Sequence, residues 1–221
     1  MKRLLNNYLS LVKNFIPEKK RTTKPTIGLD IGAYSCKAIE LIPTEDSFEI
    51  LNWAIEPIGP SDATEAIKRV FNKFNIESKN VSTAISGQGT LIRHIDMPKM
   101  SLADAKKSFY IEADKYFPFA KDQIYTDCFV VDSIDQDNKM SLLVAAAKKE
   151  IVEQRIQLLS NMSQPVDFIG INSIAIANVF NVLGENAKKT ENTIEGDRGS
   201  SAIAILDIGD AVTSLIILKE N

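Results

Sequence analysis

Cysteine is scarce in this chain of 221 residues, and the two present, Cys36 and Cys128, have no paired spacing and no companion ligands. That argues against a zinc site and for reduced thiols in a cytosolic protein. Histidine occurs once, as His94, and reads as a structural side chain rather than a catalyst. Positive charge is not in excess: 26 Lys and Arg stand against 29 Asp and Glu, a net charge of −3. The general basic footprint of a nucleic-acid binder is therefore missing. No apolar run is long enough to span a bilayer. No small-residue cleavage site follows the N-terminal apolar positions, which Lys13 interrupts, so no signal peptide is expected. What remains is ordinary for a soluble globular protein, 44% hydrophobic and 25% charged, with room for one large domain or two small ones.

The N-terminus has its own character. Leu4, Leu5, Tyr8, Leu9, Val12, Phe15 and Ile16 recur at helical spacing, with Lys2, Arg3, Asn6, Asn7, Lys13 and Asn14 on the other side. A basic amphipathic helix over residues 2–16 can lie on an anionic membrane surface or dock on a partner; packing on its own domain is the plainer alternative. Pro17 to Thr26 is polar, basic and flanked by prolines, and reads as a linker.

The most informative feature is a repeat. Leu29-Asp30-Ile31-Gly32 returns as Leu206-Asp207-Ile208-Gly209, 177 residues further on. Each copy follows a β-branched run and precedes another apolar run, which reads as strand, tight turn, strand. In such a hairpin the glycine lets the backbone approach an anion. Successive turn amides point at phosphate oxygens, and the aspartate is placed to hold Mg²⁺, usually through water. Two facing hairpins would grip one nucleotide between them. The alternative is a pair of ordinary hairpins whose glycine serves only the turn.

Between the copies, strands and helices alternate. Strands are expected near 26–31, 35–42, 47–55, 80–86 and 90–97. Ser61 caps a helix to about Phe74 with Ala63, Ile67, Val70, Phe71 and Phe74 on one side. Ser101 and Asp104 form a capping box for a helix ending before Pro118. Tyr125 to Asp132 and Lys139 to Ala147 read as strands, Lys148 to Met162 as a helix, and Val166 to Ile171 as a strand. A further helix opens at Asn172 and is expected to close at Gly184. The domain reading is a segment 1–24, a discontinuous α/β core of 25–91 plus 166–221, and an inserted small α+β unit of 92–165, whose ends should lie close together.

This order resembles the actin-like (RNase H-like) ATPase superfamily. Within it, the insertion is similar to that of FtsA and of the PilM family of type IV pilus assembly proteins. GLDIGAYSCKAIEL resembles the PilM opening, and Glu112-Ala113-Asp114-Lys115-Tyr116-Phe117-Pro118-Phe119 resembles the run in its inserted, SHS2-like subdomain. The resemblance implies one lobe of an actin-like fold that binds ATP and Mg²⁺. Asp30 and Asp207 would face the metal. Gly32, Ala33, Tyr34, Ser35 and Lys37 would form the first phosphate loop, and Gly209, Asp210 and Thr213 the second. The family usually has Ser or Thr straight after the first glycine, where Ala33 and Tyr34 stand here, and Ala or Gly where Asp210 stands. The second lobe, with its adenine and ribose contacts, is expected to lie outside this chain, and no residue is assigned as a catalyst. The resemblance further implies a scaffold at the cytoplasmic face of the inner membrane, part of the pilus assembly platform. It would hold the cytoplasmic tail of a PilN-like membrane protein between core and insert. An FtsA-like division protein that links filaments to membrane, and a small-molecule kinase of the same superfamily, are the alternatives. Phe109, Tyr116, Phe117 and Phe119 are candidate anchors for the tail, each more readily read as core.

Overall fold

The computed structural model describes residues 25–44, 48–59, 63–74, 81–134, 138–162, 164–188 and 202–219. Residues 2–16, the linker to Lys24 and the cap at Ser61 lie outside them. The described chain forms two compact units, one from Gly87 to Gln157 and the other from the described residues on either side. The sequence reading placed the insert at 92–165. No helix among the described residues is long and apolar enough to cross a membrane.

The outer unit is built on a five-stranded sheet of order β3-β2-β1-β4-β8. Strands β1 (Thr26–Ile31), β2 (Ser35–Pro43) and β3 (Phe48–Pro57) form an antiparallel meander. β4 (Val81–Ile85) and β8 (Val166–Ile171) run parallel to β1. Alternation decides the faces, because successive side chains of a strand point to opposite sides. Ile27, Leu29, Cys36, Ala38 and Ala54 form the inner face, packed with Ala66, Ile67, Val70 and Phe71 of helix α1 (Ala63–Phe71) and with Leu159. Inside this core, Thr83 satisfies its hydroxyl by donating to the Leu29 carbonyl at 2.8 Å. At its margin Glu56 meets Lys73 at 2.5 Å and Arg69 at 3.1 Å. These hydrogen bonds, the Lys73 one foremost, hold the Glu56 carboxyl below its ordinary value.

The opposite face of the edge strand β3 has no cover among the described residues. Phe48, Ile50, Trp53 and Ile55 are each more than half exposed; they sit beside Pro43, Leu41, Ile39 and Lys37 of β2. The period-2 pattern marked a strand here but not which face lacked a cover. A register shift at Glu40/Leu41, a β-bulge, adds local twist.

The inserted unit is a three-stranded antiparallel sheet of order β5-β7-β6, made of β5 (Thr90–Pro98), β6 (Ile124–Ile134) and β7 (Lys139–Lys148). Helix α2 (Leu102–Ile111) packs against β6. Ser101 caps it as the sequence implies, its side chain accepting from the Asp104 amide at 3.1 Å. The helix expected to run almost to Pro118 is broken at Glu112, and a short α3 (Ala113–Tyr116) follows. No glycine or proline marks this break. It lies between the buried Phe109 and Phe117, whose rings meet edge to face at 5.9 Å, so tertiary packing sets it. Both phenylalanines are core residues, with Tyr116 and Phe119 packed partly against them. Cys128 is also buried, and burial pushes its thiol pKa up. Asn138 turns the chain into β7 at a φ of 50°, a left-handed conformation that asparagine tolerates.

Helix α4 (Lys149–Ser160) leaves the insert, and β8 leads into α5 (Asn172–Lys188). Here the sequence reading needs correction: α5 does not close at Gly184 but runs on to Lys188. A glycine inside a helix costs about 1 kcal/mol relative to alanine, too little by itself to end one. The chain then forms a two-stranded hairpin of β9 (Ala202–Ile208) and β10 (Thr213–Lys219).

Candidate functional site

Both Asp-Ile-Gly copies fold as expected, into hairpins with the same turn. In the first, Ile31 pairs with Cys36 and the four residues Gly32 to Ser35 make the turn. In the second, Ile208 pairs with Thr213 and Gly209 to Val212 make the turn. Gly32 donates its amide to the Ser35 carbonyl at 3.1 Å, and Gly209 donates to the Val212 carbonyl at 3.0 Å. Both turns favour glycine for one reason, the second more strongly: a Cβ on Gly32 would lie a tight 3.1 Å from the Ser35 oxygen, and one on Gly209 only 2.8 Å from the Val212 oxygen. The repeat in sequence is thus a repeat of backbone geometry.

Register places the two aspartates. Leu29 of β1 aligns with Thr83 of β4, and Thr83 with Ile169 of β8. Asp30 therefore sits near the carboxyl end of β1, and Asn172 emerges just past the carboxyl end of β8, two strands away, or about 10 Å across. Asn172 in turn donates from Nδ2 to Asp207 Oδ2 at 3.4 Å. The first hairpin and the start of α5 thus lie at the carboxyl end of the parallel strands, and the Asn172 contact brings the second aspartate to the start of α5. Open α/β sheets bind ligands at the carboxyl ends of their parallel strands.

The candidate residues are mostly accessible. Asp30 and Lys37 face each other across the hairpin, with Lys37 Nζ 3.1 Å from Asp30 Oδ2, and both are about half exposed. Ala33 and Tyr34 stand at the turn tip, Tyr34 being 65% exposed; the Tyr34 carbonyl is occupied by the Ile58 amide at 2.7 Å. Ser35 is half-buried at the start of β2. Gly209, Asp210 and Thr213 are exposed, and Asp207 is half-buried beneath them. Across the hairpin from Asp207 stands Ser214, the counterpart of Lys37 and a position the sequence reading passed over. One face of this hairpin, Leu206, Ile208, Leu215 and Ile217, is apolar and largely exposed.

The family profile described as type IV pilus assembly protein PilM matches residues 28–221. The chain belongs to the PilM family. Among solved structures it is similar to a PilM-PilN type IV pilus biogenesis complex, at 22% identity and a TM-score of 0.71, over 90% of this chain and 59% of that one. It is also similar in fold to the cytoplasmic domain of EpsL from Vibrio cholerae, an inner-membrane component of the type II secretion system. That likeness has 6% identity and a TM-score of 0.53, over 89% of this chain and 71% of that domain. The mixed α/β fold is shared with these structures, and the chain spans 59% of the length of the chain it matches in the PilM-PilN complex.

Proposed function

We propose that this PilM-family chain is a scaffold of type IV pilus assembly that captures the cytoplasmic tail of a PilN-like inner-membrane protein, and that its two matched turns hold the phosphates of ATP with Mg²⁺. The observation that carries the partner reading is the family match over residues 28–221. The pairing of a PilM with a PilN in the similar complex supports it. An extended peptide laid on a protein surface gains main-chain hydrogen bonds and side-chain pockets. The work would be done at the cytoplasmic face of the inner membrane, with residues 2–16 available for peripheral contact.

The residues fit the nucleotide reading chemically. Mg²⁺ takes hard oxygen ligands, and Asp30 and Asp207 would supply carboxylates to it. The amides of Ala33, Tyr34 and Asp210 and the hydroxyls of Ser35 and Thr213 would be the donors for phosphate oxygens, with Lys37 as the cation, while Gly32 and Gly209 shape the turns with their own amides bonded inside them. The metal would neutralise phosphate charge, which matters because Asp210 otherwise repels an anion. Calorimetric titration of the folded chain with a peptide from the N-terminus of the PilN-like protein tests the scaffold reading. Saturable micromolar binding absent from a scrambled peptide supports it. Its absence sinks it.

A further inference from the structure

We infer that the uncovered face of β3 and β2 is a self-association surface, and that its occupant is a second copy of this chain packed face to face. The inference is independent of the nucleotide and tail-capture readings.

The face is built as one apolar row. Phe48, Ile50, Trp53 and Ile55 stand on it, each more than half exposed. Ile50 and Trp53 are three residues apart, a spacing that in a regular strand puts side chains on opposite faces. The register shift at Glu40/Leu41 absorbs the odd residue, pairing Ile50 with Leu41 and Trp53 with Ile39, so both stay on the same side. Charge is kept away from the row. Glu56 turns to the other side, where Lys73 and Arg69 hold it, and Lys37, at one end of the face, is paired with Asp30. Taking about 200 Å² for a whole large side chain, the row exposes about 450 Å², and Ile39, Leu41 and Pro43 beside it bring the face to about 600 Å². A face of that size stands at the upper end of what soluble monomers expose. Two of them together would bury about 1,200 Å², which reaches the range of specific interfaces.

The geometry favours the same face on another copy over other occupants. An extended peptide would add at the edge of β3. There the Trp53 amide donates to Asn52 Oδ1 at 2.9 Å, and Asn52 Nδ2 in turn donates to the Lys73 carbonyl at 2.9 Å. The middle of the edge is thus taken by the strand's own side chain, which blunts strand addition and leaves the face as the open surface. An anionic lipid surface would need cations, and Lys37 is already paired. Stacked sheets keep their strands within about 30° of each other. A two-fold axis near Trp53 would lay the Lys37 end of one copy over the Phe48 end of the other, so that like charges do not meet.

The test is sedimentation velocity of this chain, from nanomolar to high micromolar concentration, on wild type, I50E, W53E and N52A, each shown folded by circular dichroism. Wild type should form a dimer with a micromolar dissociation constant. Losing a central anchor weakens an interface about thirtyfold or more. W53E and I50E should raise the dissociation constant on that scale, and either suffices should the other fail to fold. N52A, which frees the Trp53 amide, should leave the dimer as it is. Below the dissociation constant Trp53 emits as solvated indole, and its band moves to the blue as the dimer forms. A wild-type chain that stays monomeric overturns the inference. A dimer that appears only after residues 1–16 are removed overturns it too, by assigning the face to that segment. A dimer indifferent to W53E and I50E places the contact elsewhere, and one tightened by N52A places it at the strand edge; both overturn it.

Discussion

Substituting alanine for Gly209 puts the repeated turn to its hardest test. The added Cβ would lie 2.8 Å from the Val212 carbonyl oxygen, closer than such contacts occur, and the obstacle is backbone rather than a movable side-chain end. The turn must open, and the Gly209 amide then loses its 3.0 Å hydrogen bond to that same oxygen. The lost bond is worth about 1 kcal/mol, and forced crowding adds about 1–3 kcal/mol. The hairpin has little to absorb this, since two strands alone are marginally stable and its apolar face is exposed. At Gly32 the same contact is 3.1 Å, and the hairpin lies in the five-stranded sheet. Gly32→Ala should therefore cost less, about 1 kcal/mol for a weakened bond. Hydrogen exchange read on β9 and β10 is the direct assay. G209A should lose protection across Ala202–Ile208 and Thr213–Lys219 while β1 and β2 stay protected. A G209A hairpin as protected as wild type refutes the reasoning, as does a G32A chain less stable than G209A in urea.

Phe109 is 1% exposed in the insert core, so Phe109→Ala should cost about 3–5 kcal/mol in denaturant titrations. Glu56 gives a pH dependence of known sign. Its folded carboxyl is held below the unfolded value by Lys73 and Arg69, so its contribution is present above the unfolded pKa and lost as pH falls through the folded one. Thermal melts through the acid range should show less acid-induced loss for E56Q than for wild type, and identical slopes would contradict the ion-pair account. Trp53, the single tryptophan, is 66% exposed; its fluorescence should sit at the wavelength of solvated indole, and a blue-shifted band would show that something covers the β3 face.

Much of this architecture was legible because local and long-range preferences agree. The Asp-Ile-Gly turns announce themselves through the residue their geometry favours, and the Ser101 cap through a short polar pattern. Helix α1 shows its buried stripe at 3.6-residue spacing. The misreadings fall where local chemistry is silent. Gly184 has the form of a helix stop, yet nothing obliges α5 to end there. The break at Glu112 has no breaker residue, because packing of Phe109 with Tyr116 and Phe117 imposes it. At β3, alternation identifies a strand but not that Phe48, Ile50, Trp53 and Ile55 would stand uncovered. In the candidate site, Asp30 with Lys37 and Asp207 with Thr213 were readable as chain neighbours. The contact of Asn172 with Asp207 joins residues 35 apart and emerges only when β8 delivers the helix start to that edge.

The claim on which the functional account turns is that the two turns are halves of one phosphate site. Titration of the isotopically labelled chain with Mg-ATP, followed through the amide resonances of Gly32 and Gly209, tests it most directly. The account predicts that both amides shift along one saturation curve with a single dissociation constant, however weak. Shifts at one glycine alone, at neither, or at both with different midpoints would contradict it.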